Sequence, residues 1–210
     1  LVKNTPLLDE ALARLNGKTP ILSKMALITA MKDGVLTRCI ILDCRVSGVS
    51  DHARKTERIR LPTAWDIIHD SLIMHAMLKP DDIIRYMVFD LKDVFTMLPL
   101  LPEELRYCVA CFREYYYMWD RIVQGSAHGP NVYGRLAALT SRMGQGMADK
   151  RGTRTQTYVD DPCSLMRGAP ARCDRLSARL VCLWRCLGWD LSYRKGRQSS
   201  AISWIGYITG

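Results

Sequence analysis

Two neighbouring acids, Asp160 and Asp161, constrain this chain more than any other feature of it. They follow the β-formers Thr155-Gln156-Thr157-Tyr158-Val159 and precede Pro162, a residue that does not continue a sheet. Successive side chains on a strand point to opposite faces, so adjacent acids can serve one site only where the chain turns. Side by side they repel unless a cation sits between them, and hard divalent ions take carboxylate oxygens. Asp is also an ordinary turn residue for local reasons, so the pair acquires meaning only with a distant third carboxylate. Tyr86-Met87-Val88-Phe89-Asp90-Leu91-Lys92-Asp93-Val94-Phe95 offers one: an apolar run that reads as a buried strand, ending in Asp90 and, three residues on, Asp93.

The 210 residues suit one or two compact units with a sizeable core, and 48% hydrophobic with 24% charged residues is ordinary for a folded protein. A net charge of +9 and a pI near 9.3 favour a polyanionic partner, either nucleic acid or an anionic surface. No uninterrupted apolar stretch approaches the roughly 18 residues that span a bilayer, and the N-terminus has no signal-peptide pattern. The expectation is therefore an intracellular protein, in cytoplasm or nucleus, with no membrane partner and with its eight cysteines reduced. Cys108-Val109-Ala110-Cys111 is a lone CxxC; His52, His69, His75 and His128 supply no zinc-ligand spacing beside it, so buried thiols on a helix are the expectation. The chain starts at Leu1 and stops soon after Tyr207, which reads as a piece of a longer polyprotein.

Along the chain, residues 7–15 suggest a short helix ended by Asn16-Gly17. Lys32-Asp33-Gly34 reads as a hairpin turn with a strand leaving it over residues 37–45. A helix starting at Leu61-Pro62-Thr63 and reaching Leu78 would bury Trp65, Ile68, Leu72 and Met77. Pro102-Glu103-Glu104 resembles another helix start, with Leu105, Val109 and Phe112 on one face. Pro130 suits the first turn of a helix to about residue 143, and residues 171–187 a second long helix closed by Gly188. Strands over residues 189–193 and 201–208 finish the chain. Strands and helices mixed at hairpin-like spacing suggest an antiparallel α+β sheet.

Five blocks then fall in a recognisable order. The segment around Asp90 resembles motif A of reverse transcriptases, and Tyr158-Val159-Asp160-Asp161 resembles motif C. Between them, Val123-Gln124-Gly125-Ser126-Ala127-His128-Gly129-Pro130 resembles motif B; Leu187-Gly188-Trp189 with Lys195 resembles motif D, and Trp204-Ile205-Gly206-Tyr207 motif E. The resemblance covers roughly residues 20 to 210 and looks closer to cellular retroelements than to retroviruses.

The resemblance implies an RNA-directed DNA polymerase of a retroelement or retrotransposon, a nucleotidyltransferase that extends a primer on an RNA or DNA template with deoxynucleoside triphosphates. It implies an α+β right-hand fold with fingers and palm subdomains and an antiparallel palm sheet carrying helices on one side; the length of 210 residues is consistent with a missing thumb. Residues 1–85 would be fingers, with 101–122 fingers-like, and residues 86–100 and 123–210 palm including the primer-grip strand, one reverse transcriptase domain overall. Other polyprotein domains (thumb, RNase H, integrase or endonuclease) are the expected partners. Two Mg²⁺ ions, with Mn²⁺ as a substitute, would be held by Asp90, Asp160, Asp161 and the carbonyl of Leu91. Lys32, Arg38, Asp93, Phe95, Gln124, Gly125 and Lys195 would meet the incoming nucleotide, Phe95 as a sugar gate against a 2′-hydroxyl and Lys195 beside the pyrophosphate leaving group. Trp204, Gly206 and Tyr207 would grip the primer. A solvated basic hairpin competes with the reading of Lys32 and Arg38, and a plain core residue with that of Phe95 and Trp204. The alternative for the whole chain is a catalytically silent, nucleic-acid-binding remnant of such a polymerase. A metal-dependent nuclease shares the paired acids but would not need motifs B and E.

Overall fold

The computed structural model describes residues 2–5, 8–32, 34–53, 57–148 and 151–209. In chain order the elements are β1 (Val2–Thr5), α1 (Leu8–Arg14), β2 (Lys24–Lys32), β3 (Val35–Asp43), α2 (Val49–His52), α3 (Ala64–Ala76), β4 (Ile83–Val88), β5 (Val109–Phe112), β6 (Tyr115–Trp119), α4 (Gly129–Gly146), β7 (Thr153–Tyr158), β8 (Asp161–Gly168), α5 (Pro170–Cys186), β9 (Arg197–Ser199), β10 (Ile202–Trp204) and β11 (Tyr207–Thr209). They form two compact units, Leu1–Arg58 with Phe95–Tyr133, and Ile59–Val94 with Gly134–Gly210. Among the described residues no helix is long and apolar enough to cross a membrane.

The second unit is built on a four-stranded antiparallel sheet in the order β7-β8-β4-β9. β4 and β8 pair with Tyr86 opposite Leu165 and Val88 opposite Cys163. Period-2 alternation gives this sheet two different faces. Ile84, Tyr86, Cys163 and Leu165 share one face and form a buried cluster with Ile67 and Met74 of α3 and with Ile202 and Trp204. On the other face Ser177 of α5 touches the Met166 sulfur, and Arg85 is paired with Asp174 of α5. α4 joins that face through Ser141, whose hydroxyl is 2.7 Å from that of Thr157. The expectation of helices on one side is thereby corrected. β4 and β8 are apolar on both faces, and each face recruits its own helix.

α3 also turns a different face inward from the one its apolar spacing suggests. Trp65 is 77% exposed and Leu72 65%, while Ile67, Asp70 and Met74 are buried. Asp70 is the reason. The Gln156 amide of β7 donates to its carboxylate at 2.7 Å, and Arg154 lies 3.8 Å away, so a buried acid with two partners fixes the rotation of the helix. The helix begins at Ala64, after the Thr63 capping box with Asp66.

The first unit has a three-stranded sheet, β1-β6-β5, and the two-stranded hairpin β2-β3. Lys32 pairs with Val35 across the hairpin turn; Asp33 lies outside the described residues, as does the side chain of Lys32. The expected helix after Pro102 is a single 3₁₀ turn, Leu105–Tyr107, followed by the β5-β6 hairpin. The helical spacing of Leu105, Val109 and Phe112 misleads because the run from Val109 to Trp119 is rich in β-formers. Its two-residue turn uses Arg113 and Glu114, both at positive φ, so no glycine or asparagine signals it. Cys108 is accordingly buried beside a strand and Cys111 exposed on one, rather than both on a helix. Burial pushes the Cys108 thiol up to about 12, which suits a core side chain and not a thiolate ligand.

Two more expectations change near the site. Pro162 lies inside β8, opposite Thr157, at a level where β4 has already ended at Val88. Its missing N–H therefore breaks no ladder, and its carbonyl accepts the Phe89 amide at 3.2 Å. The final segment is not one strand: Ile205 and Gly206, both at positive φ, turn β10 into β11.

Candidate active site

The acid pair sits on the tightest turn of the second unit's sheet. Tyr158 of β7 is paired with Asp161 of β8, leaving Val159-Asp160 as a two-residue loop. Val159 has φ 51°, a conformation that a β-branched residue adopts only under constraint. Positive φ at the first loop residue alone is the shape that ordinarily takes glycine, and a branched side chain there stores about 1–2 kcal/mol. The ladder on either side holds it. Strain of this kind collects where a chain must present particular side chains.

Backbone bonds bring Asp90 to this turn. Beyond the end of β4, the Leu91 N–H donates to the Asp160 carbonyl at 2.8 Å, and the Ser192 N–H donates to the Asp90 carbonyl at 2.9 Å. Leu91 also bridges Leu191, and the Lys92 N–H donates to the Asp190 carbonyl at 2.8 Å. The Asp90-Leu91 peptide is thus clamped between the acid turn and residues 190–192. On the flank, Asp190 is 3.4 Å from the Lys92 ammonium and 3.2 Å from the Arg185 guanidinium at the end of α5.

The three acids share one field. Burial, then repulsion from Asp160 and Asp90, pushes the Asp161 carboxyl up to about 6, against the opposing pull of Lys195. The Lys195 ammonium donates to Asp90 Oδ1 at 2.7 Å. That bond, and the fields of Asp90, Asp161 and Asp160, raise its pKa against desolvation. Among the described residues no three His, Cys, Asp or Glu side chains are gathered as a ready metal shell. The donor chemistry nonetheless suits a hard divalent cation, because Asp161 sits in the repulsive field of Asp160 and Asp90, and a cation among the three would relieve it. In this conformation the ammonium of Lys195 supplies positive charge to the cluster.

A stability dependence follows from Asp161. Its folded pKa lies above the unfolded value of 3.8, so the favourable contribution is full below about pH 4 and is lost as pH rises through 6. Metal-free protein is therefore expected to lose stability between pH 4 and 6 at this group, and Asp161→Asn to remove that part of the slope. Denaturant midpoints in chelator across this range check it; identical slopes for the two proteins would contradict it.

Trp204 and its neighbours divide into two roles. Trp204 is 3% exposed, part of the core cluster, and its indole N–H donates to the Asp161 carbonyl at 3.0 Å. It docks the β10-β11 hairpin onto the acid-bearing strand from within the core. Tyr207 is exposed, just past the turn at Gly206, where φ is 84°. Asp93, also in this unit, is exposed at φ 49°.

In the first unit, Gln124 and Gly125 run along β3: the Leu42 N–H donates to the Gln124 carbonyl at 3.2 Å, and the Cys39 thiol donates to the Gln124 side-chain oxygen. Gly125 has φ 104°, and a Cβ there would collide with the Leu42 carbonyl. Gly125→Ala should thus lower the denaturation midpoint by the equivalent of at least about 1 kcal/mol. An unchanged midpoint in chemical denaturation would contradict this close docking. Phe95 is half-buried with its ring edge-on to Tyr133, centroids 5.6 Å apart, and Gly129 leaves room beside it. Arg38 is exposed on β3 opposite Thr29.

Sequence reasoning missed Asp190, Lys92, Cys39 and Gly196. No spacing rule announces them, because each acts on a residue distant in sequence. The strand expected over residues 189–193 is instead a single bridge at Leu191, held against the Asp90-Leu91-Lys92 segment by the Asp190 carbonyl and the Ser192 N–H.

No protein-family profile and no curated protein matches the chain. Solved structures do. The chain is similar to the foamy viral protease-reverse transcriptase in complex with dsDNA, with TM-score 0.65 and 14% identity over 97% of this chain and 39% of that one. It is similar to the same kind of protein in complex with an RNA/DNA hybrid, with TM-score 0.61 and 14% identity over 91% of this chain and 23% of that one. The native Prototype Foamy Virus Protease-Reverse Transcriptase gives TM-score 0.55 and 16% identity over 85% and 21% of the two chains. The chain therefore spans well under half the length of each, and at these identities the likeness is one of architecture: a mixed α/β, antiparallel, reverse-transcriptase-like fold.

Proposed function

We propose that the chain is the nucleotide-adding part of a retroelement reverse transcriptase, extending a primer on an RNA or DNA template with deoxynucleotides. One observation carries the proposal: the Asp90-Leu91 peptide is bonded directly to the Asp160 turn, so acids from two parts of the sequence meet in one electrostatic cluster. The reverse-transcriptase-like fold and the net charge of +9 support it, the latter by favouring a polyanion. In this reading residues 86–100 and 123–210, with the four-stranded sheet, are the palm, and residues 1–85 with 101–122 are the fingers.

Asp90, Asp160 and Asp161, with the Leu91 carbonyl, would hold two Mg²⁺ ions, or Mn²⁺ in their place, which when bound neutralise charge on the attacking and leaving oxygens. The chain's own residues do the positioning. The strained Val159-Asp160 turn and the Leu91 bond fix two of the acids. Trp204 fixes the third through its carbonyl. Gly125, with no side chain to intrude, and Gln124, steadied by Cys39, would lie against a base pair. Phe95, braced by Tyr133, would exclude a 2′-hydroxyl. Arg38 and Lys32 would meet phosphate, Asp93 would line the triphosphate through its backbone, and Tyr207 and Gly206 would approach the primer end.

The Lys195–Asp90 pair also favours the second reading, a silent nucleic-acid-binding remnant whose acids are neutralised from within. Single-nucleotide addition separates the two. With primed RNA or DNA at high concentration and Mg²⁺ or Mn²⁺, the chain should add a dNTP in preference to the matching NTP. No addition, where another polymerase extends the same primer, would leave only the remnant.

A further inference from the structure

Lys195 is not simply a basic residue near acids. Its ammonium is 2.7 Å from Asp90 Oδ1, with the Asp90 side chain 18% and the Lys195 side chain 58% exposed, and the packing nearby fixes the backbone from which the lysine reaches. The Ser192 N–H donates to the Asp90 carbonyl, and the Lys195 and Gly196 N–H groups fold back onto the Ser192 carbonyl at 3.0 and 3.2 Å. Gly196 lies against the ring of Phe89, where a Cβ would come within 2.8 Å of Cε1. Phe89 in turn is held edge-on by Trp184 and Tyr193, with centroids 5.8 and 6.4 Å away. Two adjacent pairs, Phe89-Asp90 and Lys195-Gly196, are therefore in contact, ring to glycine and carboxylate to ammonium. The root of a long, flexible side chain is anchored one residue from its own anion's neighbour.

We infer that Lys195 is the resident cation of the acid cluster, displaced from Asp90 when a divalent ion binds there. The inference rests on reading the cluster as a cation site. An ammonium at hydrogen-bond distance and a divalent ion on the same carboxylate repel each other, so each weakens the binding of the other by the same factor. Lys195 thereby keeps the acids balanced while the site is empty of metal. On loading, it is released from Asp90 and becomes available to an anionic ligand.

Mn²⁺ binding to the 210-residue chain, followed by the paramagnetic resonance signal of free Mn²⁺, tests this. Lys195→Gln should bind Mn²⁺ roughly tenfold more tightly than the unaltered chain, from loss of one competing charge. Lys195→Arg, which keeps the charge, should bind like the unaltered chain. In the unaltered chain itself, Mn²⁺ should raise the labelling of Lys195 by an amine-reactive acetylating reagent severalfold, read by peptide mass spectrometry. Asp160→Asn should abolish that rise. Equal Mn²⁺ affinity for the unaltered chain and Lys195→Gln, with Asp160→Asn weaker than both, would overturn the competition and leave the acid cluster intact as a cation site. No saturable Mn²⁺ binding in any variant would overturn the cation site, and this inference with it.

Discussion

Replacing Asp160 by Asn is expected to lower single-nucleotide addition by about a thousandfold without weakening the fold. The first part follows from what a carboxylate at the turn would supply: charge stabilisation worth several kcal/mol in the transition state, and about 4 kcal/mol corresponds to three orders of magnitude. The second part follows from the same geometry read in the opposite direction. Asp160 is one of the groups that push the Asp161 carboxyl up, so neutralising it removes repulsion that the folded state must otherwise carry. A residue that contributes to activity at the expense of stability should show both signs in one variant. Single-turnover extension and urea denaturation of Asp160→Asn, each beside the unaltered chain, supply the two readings. Activity within tenfold of the unaltered chain would contradict a role for this acid, and a large loss of stability would contradict the repulsion.

Trp204→Ala is expected to have the largest effect on stability. Truncating a buried aromatic of this size costs about 3–5 kcal/mol, and the Asp161 carbonyl loses its indole partner at a further cost of about 1 kcal/mol or more. Against a total stability of roughly 5–15 kcal/mol, that is enough to leave much of the second unit unfolded at physiological temperature. Trp204→Phe separates the two contributions. It keeps most of the packing and loses the N–H, so it should remain folded yet lose activity through the altered support of Asp161. Thermal melts give the first effect and extension rates the second. A Trp204→Ala protein that melts with the unaltered chain would show that the β10-β11 hairpin is not docked through this ring.

How much of this was readable beforehand depends on the range of the interactions involved. The Val159-Asp160 turn is local: β-formers on one side and two acids at the reversal specify it within eight residues. α4 and α5 were equally legible, the first from Pro130 in its opening turn and the second from Gly188 just past its end. α3 was legible as a helix but not in its rotation, since two candidate apolar stripes compete and the choice falls to Asp70, whose partners lie in β7. The β5-β6 hairpin was misread because its turn residues, Arg113 and Glu114, carry none of the composition that marks a positive-φ turn. Pro162 was misread as a strand terminator because its tolerance depends on where β4 stops. At the candidate site the acids could be named from spacing and resemblance, whereas the bond from Lys195 to Asp90 could not. It depends on Gly196 meeting Phe89, a contact across more than a hundred residues that no pattern in the chain encodes.

Asp90 and Asp160 are expected to bind one divalent ion together. Anomalous diffraction from crystals grown with Mn²⁺ measures this directly. The predicted result is a Mn²⁺ peak within ligand distance of both carboxylates, with the Lys195 ammonium withdrawn from Asp90. A peak that touches only one of the two acids, or none at the Val159-Asp160 turn at a saturating Mn²⁺ concentration, would contradict it.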